Sequence, residues 1–419
     1  MNEIVLVINA GSSSIKFSLF ALAGSQTVCK PLYRGAIENI GVDSRLIVKD
    51  NRIEQPAIKT GTNKNLDADS YEAAIKHILN WLEQLPSRYS VVAVGHRVVH
   101  GGMQFSQPVK VDRTVLAQLQ ALVPLAPLHQ PQALRAIDSL LSMRPKMPQI
   151  ACFDTAFHTT MPWVEQTFAL PRALAKQGIR RYGFHGLSYE YIAGVLPGYL
   201  GKRKSNGRVI VAHLGHGASM CAMRQRKSVA TTMSFTPLDG LAMSTRCGSI
   251  DAAVVLYLMR QRGMTVDEIS DLLHHQSGLL GLSGISGDMH NLLAMASNST
   301  ESADAIAVFS QRVHRELGAL AAALGGLDAV VFTGGIGEHA APVRAAVCRA
   351  AAWLGIALDD SANNSDAKRI SADNSRVSVW VIPTDEEHVI AHYTASMLES
   401  RNSKPNKNNE NLITSDQGG

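Results

Sequence analysis

Val5-Leu6-Val7-Ile8-Asn9-Ala10-Gly11-Ser12-Ser13-Ser14 stands near the start of the chain, and Val209-Ile210-Val211-Ala212-His213-Leu214-Gly215-His216-Gly217-Ala218-Ser219 stands near its middle. Each reads as a buried apolar strand, a tight turn of small residues and a second strand. After the first turn Ile15, Phe17 and Leu19 alternate with Lys16 and Ser18; after the second comes Met220-Cys221-Ala222-Met223. Two such hairpins half a chain apart predict a duplicated domain with a ligand between the halves.

Between and beyond the hairpins, strands alternate with amphipathic helices, which argues an α/β fold. Ile75, Ile78, Leu79, Leu82 and Leu85 keep helical spacing after Ser70, an expected N-cap. Thr265 and Glu268 form a capping-box pattern ahead of Leu272 and Leu273. Ile306, Phe309, Val313, Leu317, Leu320 and Leu324 mark one face of a long helix. The apolar stretch Leu317 to Gly337 is broken by Gly325-Gly326 and Asp328. A membrane span needs about 20 apolar residues, so this stretch reads as a helix, a turn and a buried strand.

Composition narrows the classes. At 419 residues the chain has room for two or three domains of about 150 residues. With 46% hydrophobic and 18% charged residues it is globular. A dispersed net charge of +5 does not argue for nucleic acid. The cysteines (Cys29, Cys152, Cys221, Cys247, Cys348) are far apart and never CxxC, which fits a reducing, cytoplasmic setting without a disulfide scaffold. Ile4 to Ala10 reads as a strand and not a signal peptide, and no membrane partner is expected. Residues 401–419, rich in Asn, Lys and Ser, are expected to be a disordered tail.

Three turns suit phosphate oxygens, because Gly and Ser expose backbone N–H groups and hydroxyls: Gly11-Ser12-Ser13-Ser14, Gly215-His216-Gly217 and Gly334-Gly335-Ile336-Gly337-Glu338. No Walker A sequence is present. A second reading treats Gly335-x-Gly337-x-x-Ala340, with Asp359 downstream, as a dinucleotide fingerprint, although Pro342 falls where its helix would begin.

Arginines and histidines gather beside turns. Gly95-His96-Arg97-Val98-Val99-His100 ends a strand, Ala126-Pro127-Leu128-His129-Gln130-Pro131 reads as a loop, and Asp154 stands at the strand end Cys152-Phe153. Arg180-Arg181-Tyr182-Gly183-Phe184-His185-Gly186 and Ser244-Thr245-Arg246-Cys247-Gly248 complete the set. HExxH is missing, and His388 with His392 lacks the glutamate of that zinc motif. Neither a GxSxG elbow nor a catalytic-cysteine signature occurs, so a hydrolase has little support.

Taken together, these segments resemble the acetate kinase (acetokinase) family of the actin-hexokinase-Hsp70 superfamily, from Val5 to about Ala395. Val7-Ile8-Asn9-Ala10-Gly11-Ser12-Ser13-Ser14-Ile15-Lys16 is similar to its first signature and Arg181-Tyr182-Gly183-Phe184-His185-Gly186 to its second. The resemblance implies two duplicated ribonuclease-H-like domains with the active site in the cleft between them. The first would be residues 1–153, completed by about 385–400; the second, 154–384, would bind nucleotide and form a homodimer. ATP and acetate, or another short-chain carboxylate, would be the substrates, with Mg²⁺ or Mn²⁺ as the metal.

Residue by residue, the resemblance implies that Asn9 and Glu386 hold the metal, and that Lys16, Ser12 and Ser14 help bind nucleotide. Arg97 would bind the carboxylate; Val99, Leu128 and Pro237 would wall the alkyl end. Asp154 would be the catalytic carboxylate, with His185, Arg246 and the nearby His129 about the transferring phosphoryl group. His213, Leu214, Gly215, His216, Gly217, Asp288, Met289, His290, Gly334, Gly335, Ile336, Gly337 and Glu338 would surround the nucleotide. The chain departs from the family's pattern at His216 and Asp385, where Asn is usual, and at His290, where Arg is usual.

These residue types suit the reaction. A carboxylate is already ionised at pH 7, so it needs no general base; the difficulty is bringing two anions together, which calls for arginines, histidine and metal. Asp154 is then better viewed as an orienter than as a base. The competing class is a nucleotide-driven binding protein of the same superfamily, which would lack an arginine-lined carboxylate pocket.

Overall fold

Both quoted hairpins form, and each seeds a sheet of the same design. In a computed structural model that describes residues 2–11, 13–23, 27–51, 63–65 and 68–399, β1 (Asn2–Ala10) pairs antiparallel with β2 (Ile15–Ala23), which pairs antiparallel with β3 (Thr27–Glu38). On its other side β1 runs parallel to β6 (Tyr89–Val98), and β6 runs parallel to β8 (Gln149–Phe153). The second sheet repeats this pattern. β9 (Arg208–Leu214), β10 (Ala218–Arg224) and β11 (Lys227–Thr231) are antiparallel neighbours, and β12 (Ala329–Thr333) and β13 (Ser378–Val381) extend β9 in parallel. The first sheet is widened by β4 (Arg45–Asp50) and β5 (Asn63–Asn65) at one edge and β7 (Val109–Lys110) at the other. Ser12 and residues 401–419 lie outside the described residues.

The continuous apolar runs have a simple cause: both faces of these strands are covered. Ile4, Leu6 and Ile8 of β1 pack with Ile75 and Ile78 of the helix Tyr71–Glu83, whereas Val5 and Val7 pack with Val389 and Ile390 of the last helix, Glu386–Glu399. In the second sheet Ile210 and Ala212 face the long helix Thr300–Leu324, and Val209 and Val211 face Ile192 and Leu196 of the helix Gly186–Ser205. The last helix thus returns to the first sheet. It approaches so closely that a Cβ on Gly95 would lie 2.3 Å from Thr394 Oγ1, so only glycine fits there.

Helix ends follow local chemistry. Ser70 accepts from the Ala73 amide, the Thr265–Glu268 box forms both bonds, and Gly325, left-handed at φ 68°, ends the long helix before β12. One expectation is corrected. The stretch 126–131 is only partly loop, because Pro131 sits in the first turn of the helix Gln130–Met143 and pre-sets its backbone. Among the described residues no helix is long and apolar enough to cross a membrane.

Candidate active site

The ends of β1, β6 and β8 in one half, and the β9–β10 turn with the segments after β11 in the other, converge on one cavity of about 380 Å³. Asn9, Arg97, Val99, Leu128, His129 and Asp154 line it from the first side; His185, His216, Gly217, Pro237 and Arg246 line it from the second. All were singled out from the sequence.

Arg97 and Asp154 are joined along one edge of the guanidinium. Nη2 donates to Oδ2 at 2.6 Å, and Nε donates to Oδ1 and Oδ2 at 3.1 and 3.2 Å. The end-on edge, Nη1 with the second Nη2 hydrogen, has no other hydrogen-bond partner among the described residues. Glu386 lies 3.7 Å from Nε. Burial opposes the charge on Arg97, but Asp154 and Glu386 outweigh it and raise its pKa further, so Arg97 stays cationic. Arg246 differs: its Nη1 donates to the Pro237 carbonyl at 2.7 Å and it has no acid partner among the described residues. Burial, then Arg97, lower its pKa to about 10, which leaves it charged at neutral pH.

His185 precedes the helix Gly186–Ser205 in a left-handed conformation, φ 57°. Such backbone costs a side-chain-bearing residue about 1–3 kcal/mol and persists only where its surroundings enforce it. The ring stacks on His213 at 4.3 Å, and its Nδ1 lies 2.8 Å from Ser219 Oγ. Burial, then His213, Arg97 and Arg246, hold its pKa well below the usual 6.5, so it is neutral. Gly217 leaves room beside it: a Cβ there would lie 2.7 Å from Arg246 Nη2 and 3.2 Å from His185 Nε2, so a side chain would displace the guanidinium.

A second cavity, of about 630 Å³, adjoins the first through His216 and Thr245. Gly215, Asp288, Met289, His290, Gly335 and Ile336 line it. Other expected nucleotide residues do not. Leu214 is buried in the core, and Gly334 and Gly337 are buried backbone positions. Ser14 and Lys16 line neither cavity; Lys16 is exposed, paired across the hairpin with Asn9. The Glu338 carboxylate turns back to accept from the amides of Gly334 (2.9 Å) and Thr384 (3.4 Å). The dinucleotide reading fails, because the helix Gly334–His339 ends after six residues and another starts at Ala341.

The donors expected to hold a metal fit Mg²⁺. Asn9 lines the cavity and Glu386 sits beside Arg97, giving an amide oxygen and a carboxylate, the hard ligands that this ion prefers. Among the described residues no group of three or more His, Cys, Asp and Glu could hold a metal ion; a Mg²⁺ shared with phosphates and water needs only one or two protein ligands.

Several wall residues were given no role from the sequence. Phe184, Gln132, Thr245, His274 and His275 also line the first cavity, and Gln132 Oε1 is buried without a hydrogen-bond partner. The adjacent pair His274-His275 at the end of the helix Val266–His275 was the one signal available, since basic residues favour a helix C-terminus and gave no reason to look further.

The chain matches the acetokinase family over residues 4–392. It is 52% identical over 398 residues to an acetate kinase of Rhodopseudomonas palustris, covering 94% of this chain and 98% of that one. It is 48% identical over 403 residues to an acetate kinase of Methylocella silvestris, covering 95% and 99%. Among solved structures, a propionate kinase of Francisella tularensis aligns with TM-score 0.87 and 37% identity, covering 94% of this chain and 99% of that one. An acetate kinase of Porphyromonas gingivalis aligns with TM-score 0.83 and 36% identity, covering 94% and 100%.

Proposed function

The chain belongs to the acetokinase family, and from that premise we propose that it transfers the γ-phosphoryl group of ATP to the carboxylate of acetate, reversibly, giving acetyl phosphate and ADP. One observation carries the reading: a paired arginine, Arg97, and an unpaired one, Arg246, face the same cavity. Asp154 occupies the side edge of Arg97 and presents its end-on edge to the substrate carboxylate, a two-point fit that lysine could not make. Asp154 therefore orients and does not act as a base. Val99, Leu128, Phe184 and Pro237 exclude water from the alkyl end; propionate is the natural second substrate of such a wall.

Arg246 holds its charge ready for the oxygens of the transferring group, and His185 adds a neutral hydrogen-bond donor beside it; His129 stands by, its pKa pushed down to about 4 by burial and then by Arg246 and Arg97. The Gly215-His216-Gly217 turn, Asp288 to His290 and Gly335-Ile336 take the rest of the nucleotide. Asn9 and Glu386 would hold Mg²⁺, or Mn²⁺, which would supply neutralisation of phosphate charge.

The two sheets support a division into domains of residues 1–153, completed by about 385–400, and 154–384, with the active site in the cleft between them. The helix Ala252–Arg262 has no buried residue, and its exposed Val254, Leu256, Tyr257 and Met259, with Ile250 and Val266, are the face through which a homodimer would form. Free buried thiols at Cys152, Cys221 and Cys348 suit the cytoplasm. The function is tested by trapping acyl phosphate as its hydroxamate with formate, acetate, propionate and butyrate. ATP-dependent colour is expected with acetate; none with any acid removes the reading and favours a nucleotide-driven binding protein.

A further inference from the structure

Behind His185 a line of buried hydroxyls runs back into the second half of the molecule. Ser219 Oγ lies 2.8 Å from His185 Nδ1 and, on its other side, bonds the hydroxyl of Tyr189. Tyr189 and Ser219 are both 0% exposed. Neither side chain has a further hydrogen-bond partner among the described residues.

This isolation fixes every proton. A buried hydroxyl whose hydrogen finds no acceptor loses its hydration for nothing. The Tyr189 hydrogen has only Ser219 Oγ to bond, so Tyr189 donates to Ser219. The Ser219 hydrogen then has only His185 Nδ1. Nδ1 is therefore an acceptor, and the neutral ring carries its proton on Nε2. The Nε2 atom is the one that looks into the cavity: the Cβ position of Gly217 is 3.2 Å from it and 2.7 Å from Arg246 Nη2.

We propose that Tyr189 and Ser219 are positioning residues that lock His185 in its Nε2–H tautomer, so that a neutral imidazole donates a hydrogen bond to the phosphoryl group in transit. In the opposite tautomer Nε2 would aim a lone pair at anionic oxygens and repel them. The lock is needed because His185 lies among Arg97, Arg246 and His213, whose fields, added to burial, keep it from taking a second proton. A ring that cannot become imidazolium must be told which nitrogen to protonate. The tight backbone turn at His185 and the stack on His213 hold the ring; the hydroxyl pair sets its polarity.

The proposal rests on the phosphotransferase reading, and two measurements keep the two separable. Nitrogen-15 NMR of ring-labelled wild-type protein, with His185 assigned through His185→Gln, reads the tautomer without any substrate. A protonated Nε2 and bare Nδ1 at pH 7.5 are expected; a protonated Nδ1 overturns the proposal. In kinetics, Ser219→Ala is expected to lower kcat about 10- to 100-fold, less than the loss of a whole transition-state donor, with the KM of acid and of ATP within about threefold. Ser219→Thr should restore kcat, and Tyr189→Phe should give a smaller loss with both tautomers visible. A Ser219→Ala enzyme with wild-type kcat overturns the proposal. If Ser219→Ala does not fold, the wild-type spectrum decides alone. If the protein phosphorylates no acid, the functional reading fails and the spectrum still decides the tautomer.

Discussion

Asp154 takes the side edge of the Arg97 guanidinium, with Nη2–Oδ2 at 2.6 Å, while Arg246 across the same cavity is bonded only to a carbonyl. The charge of Arg97 is thus balanced in the free protein and that of Arg246 is not. An uncompensated, largely buried cation is costly unless an anion arrives, and the transferring phosphoryl group brings the most charge at the moment of transfer. Arg246→Ala is accordingly expected to lower kcat by about 10³-fold or more, with a much smaller rise in acetate KM. Steady-state kinetics with the hydroxamate readout checks this. An unchanged kcat removes Arg246 from the mechanism.

Val99 stands between the cavity and the core of the second half, half-buried against that cluster. Shortening it enlarges the alkyl end without touching either arginine. One methylene in an apolar pocket is worth about 1–3 kcal/mol, so acetate and propionate should both react in the wild type and butyrate poorly. In Val99→Ala the ratio of kcat/KM for propionate to that for acetate should rise severalfold. The same ratio in mutant and wild type takes Val99 out of the wall.

The sheets were readable because strands covered on both faces must be apolar throughout, as Val5 to Ile8 and Val209 to Ala212 are. The cavity was readable where a motif names the residue, as for Arg97, His185 and Arg246. What a motif cannot say is which edge of Arg97 is spent on Asp154, or that the Glu338 carboxylate turns back to accept from the Gly334 amide at the start of its own helix. Ser219 was hidden for another reason. It reaches His185 only through a contact between residues 34 apart, and a buried serine on a strand looks like any other. Gln132 was hidden because the residues just before it read as a loop, whereas a helix begins at Gln130 and carries it to the cavity.

Three histidines outside the site set the acid limit of the fold. His96, His100 and His158 are at most 1% exposed, and burial lowers each pKa to about 4. Their rings are committed to neutral forms: His158 donates from Nε2 to the Phe184 carbonyl, and His100 Nδ1 accepts from the Gly102 amide. An unfolded histidine protonates near pH 6.5, so between about pH 6.5 and 4 the unfolded chain binds more protons. Stability therefore falls as pH drops through that window and is level above it as far as these rings are concerned. At pH 5 each ring contributes up to about 2 kcal/mol of this loss, and three together rival the 5–15 kcal/mol that typical domains possess. The urea midpoint should fall steeply from pH 7 to pH 5. Uptake of less than about one proton on unfolding at pH 5.5 would contradict this account.

His216 is the hinge of the nucleotide question, because it lines both cavities. In the free protein burial, then Arg246, lower its pKa, while Asp288 across the second cavity pulls the other way; the net direction is down, so the ring is neutral at pH 7. A bound triphosphate adds negative charge at the same place and favours the imidazolium, so nucleotide binding should take up a proton. Binding that takes up protons weakens as pH rises. The ATP KM, at saturating Mg²⁺, should therefore rise between about pH 5.5 and 7.5. His274 and His275 line the first cavity too, and His274 is likewise lowered by burial, so the mutant comparison is what isolates His216. In His216→Asn the rise should flatten, and calorimetry of ATP binding in buffers of different ionisation enthalpy should show the proton uptake disappear. Parallel pH profiles for mutant and wild type, with equal proton uptake, would make His216 a bystander whose ring merely fills the turn.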